Sequence, residues 1–148
     1  MSSDISVIEE PSGIAVHEAA HAVIHAVGGG NFRYVTLRPR LAGRSGHVYG
    51  VVNAGPAAIL AGPLAKAIWE GAEGFLTHMI EQGGCDDIEL FFEVVALGEE
   101  GEWIERSGEL VIKHWDEILM VARMLERRRT LTALQVRAIL TELSKETA

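Results

Sequence analysis

Residues 14–27 constrain the fold of this chain more than any other segment. The segment is rich in alanine and valine, carries three histidines, contains neither glycine nor proline, and is followed by three consecutive glycines at positions 28–30. Alanine favours the helix and glycine ends it, so the segment is predicted to be a helix. Its apolar residues are interleaved with the histidines, which is typical of a largely buried helix. At 148 residues and 48% hydrophobic residues, the chain is long enough to build one core around it.

The predicted helix contains the pattern His17-Glu18-Ala19-Ala20-His21, which is an HExxH motif. Residues four apart on a helix are offset by only about 40° and about 6 Å, so both imidazoles can reach one metal ion from one face. Glu18 lies about 100° round the helix from His17, where it is placed as a general base rather than as a ligand. The motif predicts a zinc site with His17 and His21 as ligands. The alternative is a histidine-rich buried helix whose imidazoles are merely hydrogen bonded.

A catalytic zinc site needs a third protein ligand, and the spacing within the motif does not supply one. His25 lies about 12 Å along the helix from His17, too far to share an ion, so we interpret it as structural or surface. Val23 and Ile24 continue the helix where a metzincin has its glycine, which disfavours that class. The third ligand therefore remains open between an aspartate and a glutamate on a second helix, for which the candidates are Glu70, Glu73 and Glu81.

The remaining sequence predicts further helices and one pair of strands. Residues 34–38 and 47–52 are β-branched and aromatic and are predicted to form an antiparallel pair. Thr132 and Gln135 match a capping box before a last helix. Helices are predicted over residues 54–70, with a kink or a new turn at Pro63, over 86–97, and over 102–128 as one long helix. The predicted class is mainly α (α+β), with residues 1–12 as a flexible arm and 13–148 as a single domain.

Charge, cysteine content and hydrophobicity limit the kinds of partner and the location that we expect for this protein. The formal charge of −8 offers no cationic surface for nucleic acid. One cysteine, Cys85, cannot form an internal disulfide, and the first residues lack the pattern of a signal peptide, so we expect a cytoplasmic protein. The longest nearly uncharged stretch is shorter than the roughly 20 apolar residues of a membrane span, so we expect no span.

Several segments, in order along the chain, resemble the zinc-peptidase domain of the FtsH-type ATP-dependent proteases. His17-Glu18-Ala19-Ala20-His21-Ala22 is similar to that family's HEAGHA, and Val-Thr-Leu-Arg-Pro-Arg at 35–40 to its strand ending in Pro-Arg. Leu60-Ala61-Gly62 resembles part of a Leu-Gly-Gly-Arg-Ala-Ala-Glu-Glu helix, although Pro63, Lys66 and Ala67 replace the family's arginine and two glutamates. Gly83-Gly84-Cys85-Asp86-Asp87-Ile88 is similar to a segment whose aspartate is the third zinc ligand.

The resemblance implies a zincin-like helical domain with a small antiparallel β element beside the HExxH helix. It also implies that Asp87 is the third ligand, whereas from the residues alone Asp86 and Asp87 are equally well explained as a helix cap and a first-turn charge. The implied activity is that of a zinc-dependent metalloendopeptidase acting on unfolded polypeptide. This chain has no G-x-x-x-x-G-K-[ST] loop, so we expect any ATPase to act in trans. The alternative function is a catalytically silent zinc-binding module of the same fold.

Overall fold

The computed structural model describes residues 10–38, 47–51, 55–71 and 86–147. The side chains of residues 47, 146 and 147 are not described. In chain order the elements are α1 (Gly13–Val27), β1 (Tyr34–Thr36), β2 (His47–Tyr49), α2 (Pro56–Trp69), α3 (Asp86–Val94), α4 (Glu100–Lys113), α5 (Trp115–Arg128), β3 (Thr130–Thr132) and α6 (Ala133–Thr147).

Helix α1 is the centre of the fold. Its N-terminus is capped by Ser12, whose hydroxyl oxygen accepts a hydrogen bond from the Ala15 backbone N–H at 3.1 Å. Its small side chains, such as Ala19 and Ala20, are fully buried, and they let neighbouring helices approach closely. Helices α2, α5 and α6 and the sheet all pack against it. The HExxH residues therefore lie on a helix that is packed on several sides.

The three strands form an antiparallel sheet in the order β2-β1-β3. Val35 of β1 pairs with Val48 on one side and with Leu131 on the other. Val35 and Leu131 are buried in the main core. The predicted antiparallel pair is confirmed, although each strand is shorter than predicted. The sequence did not predict the third strand, residues 130–132, which is only three residues long and pairs with a strand almost 100 positions earlier.

The predicted single helix over residues 102–128 is wrong at His114, where the structure has two helices. The His114 backbone, at φ −105° and ψ 23°, departs from helical geometry. Its imidazole Nδ1 lies 2.6 Å from a carboxylate oxygen of Glu117 in α5. Backbone hydrogen bonds still bridge the junction, from His114 to Leu110 and from Ile118 to His114, so the apolar stripe continues from α4 into α5.

Helix α2 packs on α1 with one face and on α3 with another. The structure assigns it as one helix that continues through Pro63. Ile59 and Leu60 of α2 form a second, smaller core with Phe91 and Val95. This small core joins α3 to the rest of the protein.

The predicted class, mainly α with a small antiparallel sheet, is confirmed. The predicted capping box is also present, because Thr132 and Gln135 each accept a hydrogen bond from the other's backbone N–H. The division into an arm and one domain stays a prediction, and residues 1–9 lie outside the described ranges. Within those ranges, every helix falls short of the length and hydrophobicity that crossing a bilayer requires.

Candidate metal centre

His17 and His21 present their imidazoles side by side on one face of α1. Their ring centroids are 4.8 Å apart, in an edge-to-face arrangement. The two Nε2 atoms are separated by 3.1 Å. The four-residue spacing of the motif thus places two nitrogen donors at one point above the helix, as the sequence predicts.

Asp87 brings a carboxylate to the same point from the first turn of α3. Its Oδ2 lies 2.9 Å from Nε2 of His17 and 2.9 Å from Nε2 of His21. The three residues form a cluster whose ligand atoms all lie within 4.8 Å of one another. The Asp87 side chain keeps 28% of its surface exposed, compared with 17% for His17 and 15% for His21.

The alternative glutamates are placed differently. The Glu70 carboxylate lies at the N-terminal end of α1, where a Cβ added to Gly13 would meet its Oε2 at 2.8 Å. Among the described residues, it does not belong to a metal-binding cluster. Glu73 and Glu81 lie outside the described residues, as does Cys85. Asp87 is therefore the carboxylate that the structure brings to the two histidines.

The donor set fits a zinc ion. Zinc takes imidazole nitrogen and carboxylate oxygen at about 2.0–2.2 Å, so neighbouring ligands of a tetrahedral site are about 3.3 Å apart. The three donor separations of 2.9, 2.9 and 3.1 Å are only slightly shorter than that. Among the described residues the site has three protein ligands, which is the number found in catalytic zinc sites.

Helix α2 orients the His21 ring. Nδ1 of His21 lies 2.8 Å from the backbone carbonyl oxygen of Ala58. Since a carbonyl only accepts, this contact makes Nδ1 the protonated nitrogen and turns Nε2 toward Asp87. One turn further along α2, a Cβ added at Gly62 would lie 2.2 Å from Nε2 of His21. Glycine at position 62 therefore lets α2 pack directly against the imidazole.

The sequence did not predict these two roles of α2. A backbone carbonyl leaves no trace in the residue types, so nothing identified Ala58. Gly62 enters the sequence analysis only as part of the family resemblance. A glycine inside a predicted helix is the signal that could have indicated a close approach of another side chain to α2.

His21 and Asp87 hold each other in their ionised forms. Burial lowers the pKa of His21, but the charge of Asp87 and its hydrogen bond outweigh burial, and the pKa rises from 6.5 to about 9. Burial likewise raises the pKa of the Asp87 carboxyl, but the charge of His21 and the hydrogen bonds from both histidines hold it well below its usual value. In the metal-free protein His21 and Asp87 thus form an ion pair, and a metal ion that binds there must displace a proton.

Glu18 is nearly buried, with 7% of its surface exposed. It follows His17 directly in α1, and its negative charge contributes to the raised pKa of His21. The ligand atoms that form the cluster come from His17, His21 and Asp87 and not from Glu18. Glu18 is therefore beside the candidate site without being part of its donor set.

His25 lies apart from the cluster. Its side chain is buried, and Nε2 lies 2.9 Å from the backbone carbonyl oxygen of Asn31. The ring fills the space above Gly30, where an added Cβ would meet it at 2.3 Å. From the sequence, His25 was expected to be either structural or on the surface. Its burial and its hydrogen bond show that it is structural.

No family model matches the sequence, and no curated protein is significantly similar to it.

Proposed function

We propose that this protein is a zinc-dependent metalloendopeptidase that hydrolyses peptide bonds in unfolded polypeptide. The observation that carries the proposal is the convergence of two imidazole nitrogens and one carboxylate oxygen, 2.9–3.1 Å apart, beside the nearly buried Glu18. The HExxH motif and the donor set of two imidazoles and one carboxylate support a hydrolytic zinc centre.

His17, His21 and Asp87 would hold the ion, which when bound supplies Lewis acidity toward a scissile carbonyl and lowers the pKa of water. Glu18 then accepts the proton of the attacking water on its carboxylate and returns it to the leaving amine. The Ala58 carbonyl holds one proton on Nδ1 of His21, so Nε2 is the nitrogen that a metal ion would take once the proton there is displaced.

The sheet supports an extended polypeptide as the substrate. In the described part of the chain, β2 lies at an edge of the sheet, and the sheet packs against α1. An edge strand can pair with any peptide backbone through N–H and C=O groups, so sequence preference would be weak. A compact protein does not offer such a segment, and a separate ATPase acting in trans would extend the range of substrates.

The resemblance to the FtsH-type peptidase domain supports the same activity through the HEAAHA segment and Asp87. A cytoplasmic location is part of the proposal and rests on the single cysteine of the chain. The second candidate function is a catalytically silent zinc-binding module, for which the site would keep the metal without turnover.

Hydrolysis of a labelled, unstructured casein by the wild type and by Glu18→Gln, at equal zinc occupancy, tests the proposal. Glu109→Gln, on the exposed surface of α4, is the matched control. A drop of about 10²- to 10⁴-fold in Glu18→Gln alone supports proton transfer by Glu18. Equal rates in the wild type and Glu18→Gln would contradict it, and no hydrolysis by the zinc-loaded wild type would favour the silent module.

A further inference from the structure

Helix α3 carries one ligand of the candidate centre, and its Asp87 carboxylate contacts His17 and His21 of α1 directly. Its packing within the described part of the chain is mainly against α2. His17 and His21, by contrast, belong to α1. The Asp87 carboxylate therefore contacts the two histidines directly, while the helix that carries it packs mainly on α2.

Phe91 is the buried residue through which α3 packs against α2. Of the nine residues of this helix, Phe91 is the buried one, with 0% of its surface exposed. It contacts the small core that includes Ile59 and Leu60. Phe91 follows Asp87 by four residues, so both side chains lie on the same face of α3.

The turn of α2 that receives Phe91 is the turn that holds His21. Ala58 accepts the hydrogen bond from Nδ1 of His21, and Gly62 lies against the same ring. Ile59 and Leu60 lie between them in the sequence and face the small core instead. Residues 58–62 thus contact His21 of α1 on one face and Phe91 of α3 on another.

We propose that Phe91 is a positioning residue that fixes the Asp87 carboxylate against His17 and His21 through residues 58–62 of α2. The proposal rests on the proposed zinc site for its consequence, which is tight metal binding. Phe91 itself does not supply a ligand atom, because the ligand atoms of the cluster come from His17, His21 and Asp87. Truncating it would leave all three ligands in the chain but free α3 to shift.

The test compares full-length variants for zinc affinity, measured by competition with a chelator. Phe91→Ala is expected to weaken zinc binding by about 10- to 100-fold, as for other residues that orient ligands. Phe91→Leu, which refills most of the space, is expected to restore nearly wild-type affinity. If Phe91→Ala unfolds the chain, Phe91→Val takes its place.

Two controls separate positioning from general destabilisation. Leu90→Ala truncates an exposed side chain of α3, with 41% of its surface accessible, and Leu125→Ala weakens the main core on α5. Both are expected to bind zinc as the wild type does once folded. The visible spectrum of the cobalt-loaded protein is expected to change in Phe91→Ala only, because it reports ligand geometry. A folded Phe91→Ala with wild-type affinity and an unchanged cobalt spectrum would overturn the proposal.

Hydrogen exchange of the metal-free proteins distinguishes this proposal from the zinc site itself. Phe91→Ala is expected to lose amide protection in α3 while α1 and α5 keep theirs. If the wild type binds no zinc but α3 alone loses protection, the zinc site fails and the anchoring by Phe91 stands. If α3 keeps its protection in Phe91→Ala, the anchoring fails whatever the wild type binds.

Discussion

His21 donates a hydrogen bond from Nδ1 to the backbone carbonyl of Ala58 across the interface between α1 and α2, at 2.8 Å. The contact decides which nitrogen faces Asp87, so the orientation of a candidate ligand depends on how closely the two helices pack. That closeness depends in turn on Gly62, which leaves room for the ring.

Gly62→Ala is expected to damage both packing and metal binding. The new Cβ would lie 2.2 Å from Nε2 of His21, so the ring or the helix must move, at a cost of about 1–3 kcal/mol in the free energy of unfolding. Urea unfolding and a zinc titration measure the two effects.

The matched control for Gly62→Ala is Gly108→Ala, inside α4. Its nearest neighbour would be Cδ2 of Leu64 at 3.6 Å, an ordinary contact, so alanine is expected to stabilise the helix by about 0.5–1 kcal/mol. If both variants are stabilised and bind zinc normally, the close approach of α2 to His21 is not required.

The metal-free protein is expected to lose stability as the pH rises from neutral. The pKa of His21 is 6.5 in the unfolded chain and about 9 in the folded one. Its contribution is therefore fully present below pH 6.5 and is lost as the pH rises through about 9, by on the order of 1–3 kcal/mol. Asp87, whose pKa is lowered, contributes in the opposite sense: its stabilisation is present above pH 3.8 and is lost as the pH falls.

Urea unfolding in the presence of a chelator, at several values of pH between 6 and about 10, measures this decline. Asp87→Asn removes the partner charge and is expected to flatten the curve. A wild-type stability that stays constant across this range, or an identical decline in Asp87→Asn, would show that the His21–Asp87 pair is not formed.

His25 is expected to matter for stability and not for the metal. His25→Ala removes a buried ring and its hydrogen bond to Asn31, which should lower the free energy of unfolding by about 1–3 kcal/mol. Zinc per chain, measured by elemental analysis of the folded variant, should stay at the wild-type value. Loss of zinc without loss of stability would instead make His25 part of the site.

The sequence was sufficient for features that depend on local patterns. Helix α1 follows from its alanines and the glycines after it, and the cap of α6 follows from Thr132 and Gln135. The two histidines share one face because helical geometry requires it. The placement of Asp87 beside them was implied by the family resemblance, since from the residues alone two adjacent carboxylates at a helix start also suit a cap.

Features that depend on contacts distant in the sequence were not predicted. Strand β3 has three residues and exists because Leu131 pairs with Val35. The break at His114 lies in its backbone angles and does not change the apolar stripe from which one long helix was predicted. Every residue type has a backbone carbonyl, so the role of the Ala58 carbonyl can be recognised only from the packing of α2 against α1.

The zinc content of the purified chain tests the central claim most directly. Elemental analysis after dialysis is expected to give one zinc per wild-type chain and none in His17→Ala, His21→Ala or Asp87→Ala. Asp86→Ala, at the exposed neighbouring position, is expected to retain it. A wild type that takes up no zinc, or an Asp87→Ala variant that keeps a full equivalent, would contradict a metal centre built from these three residues.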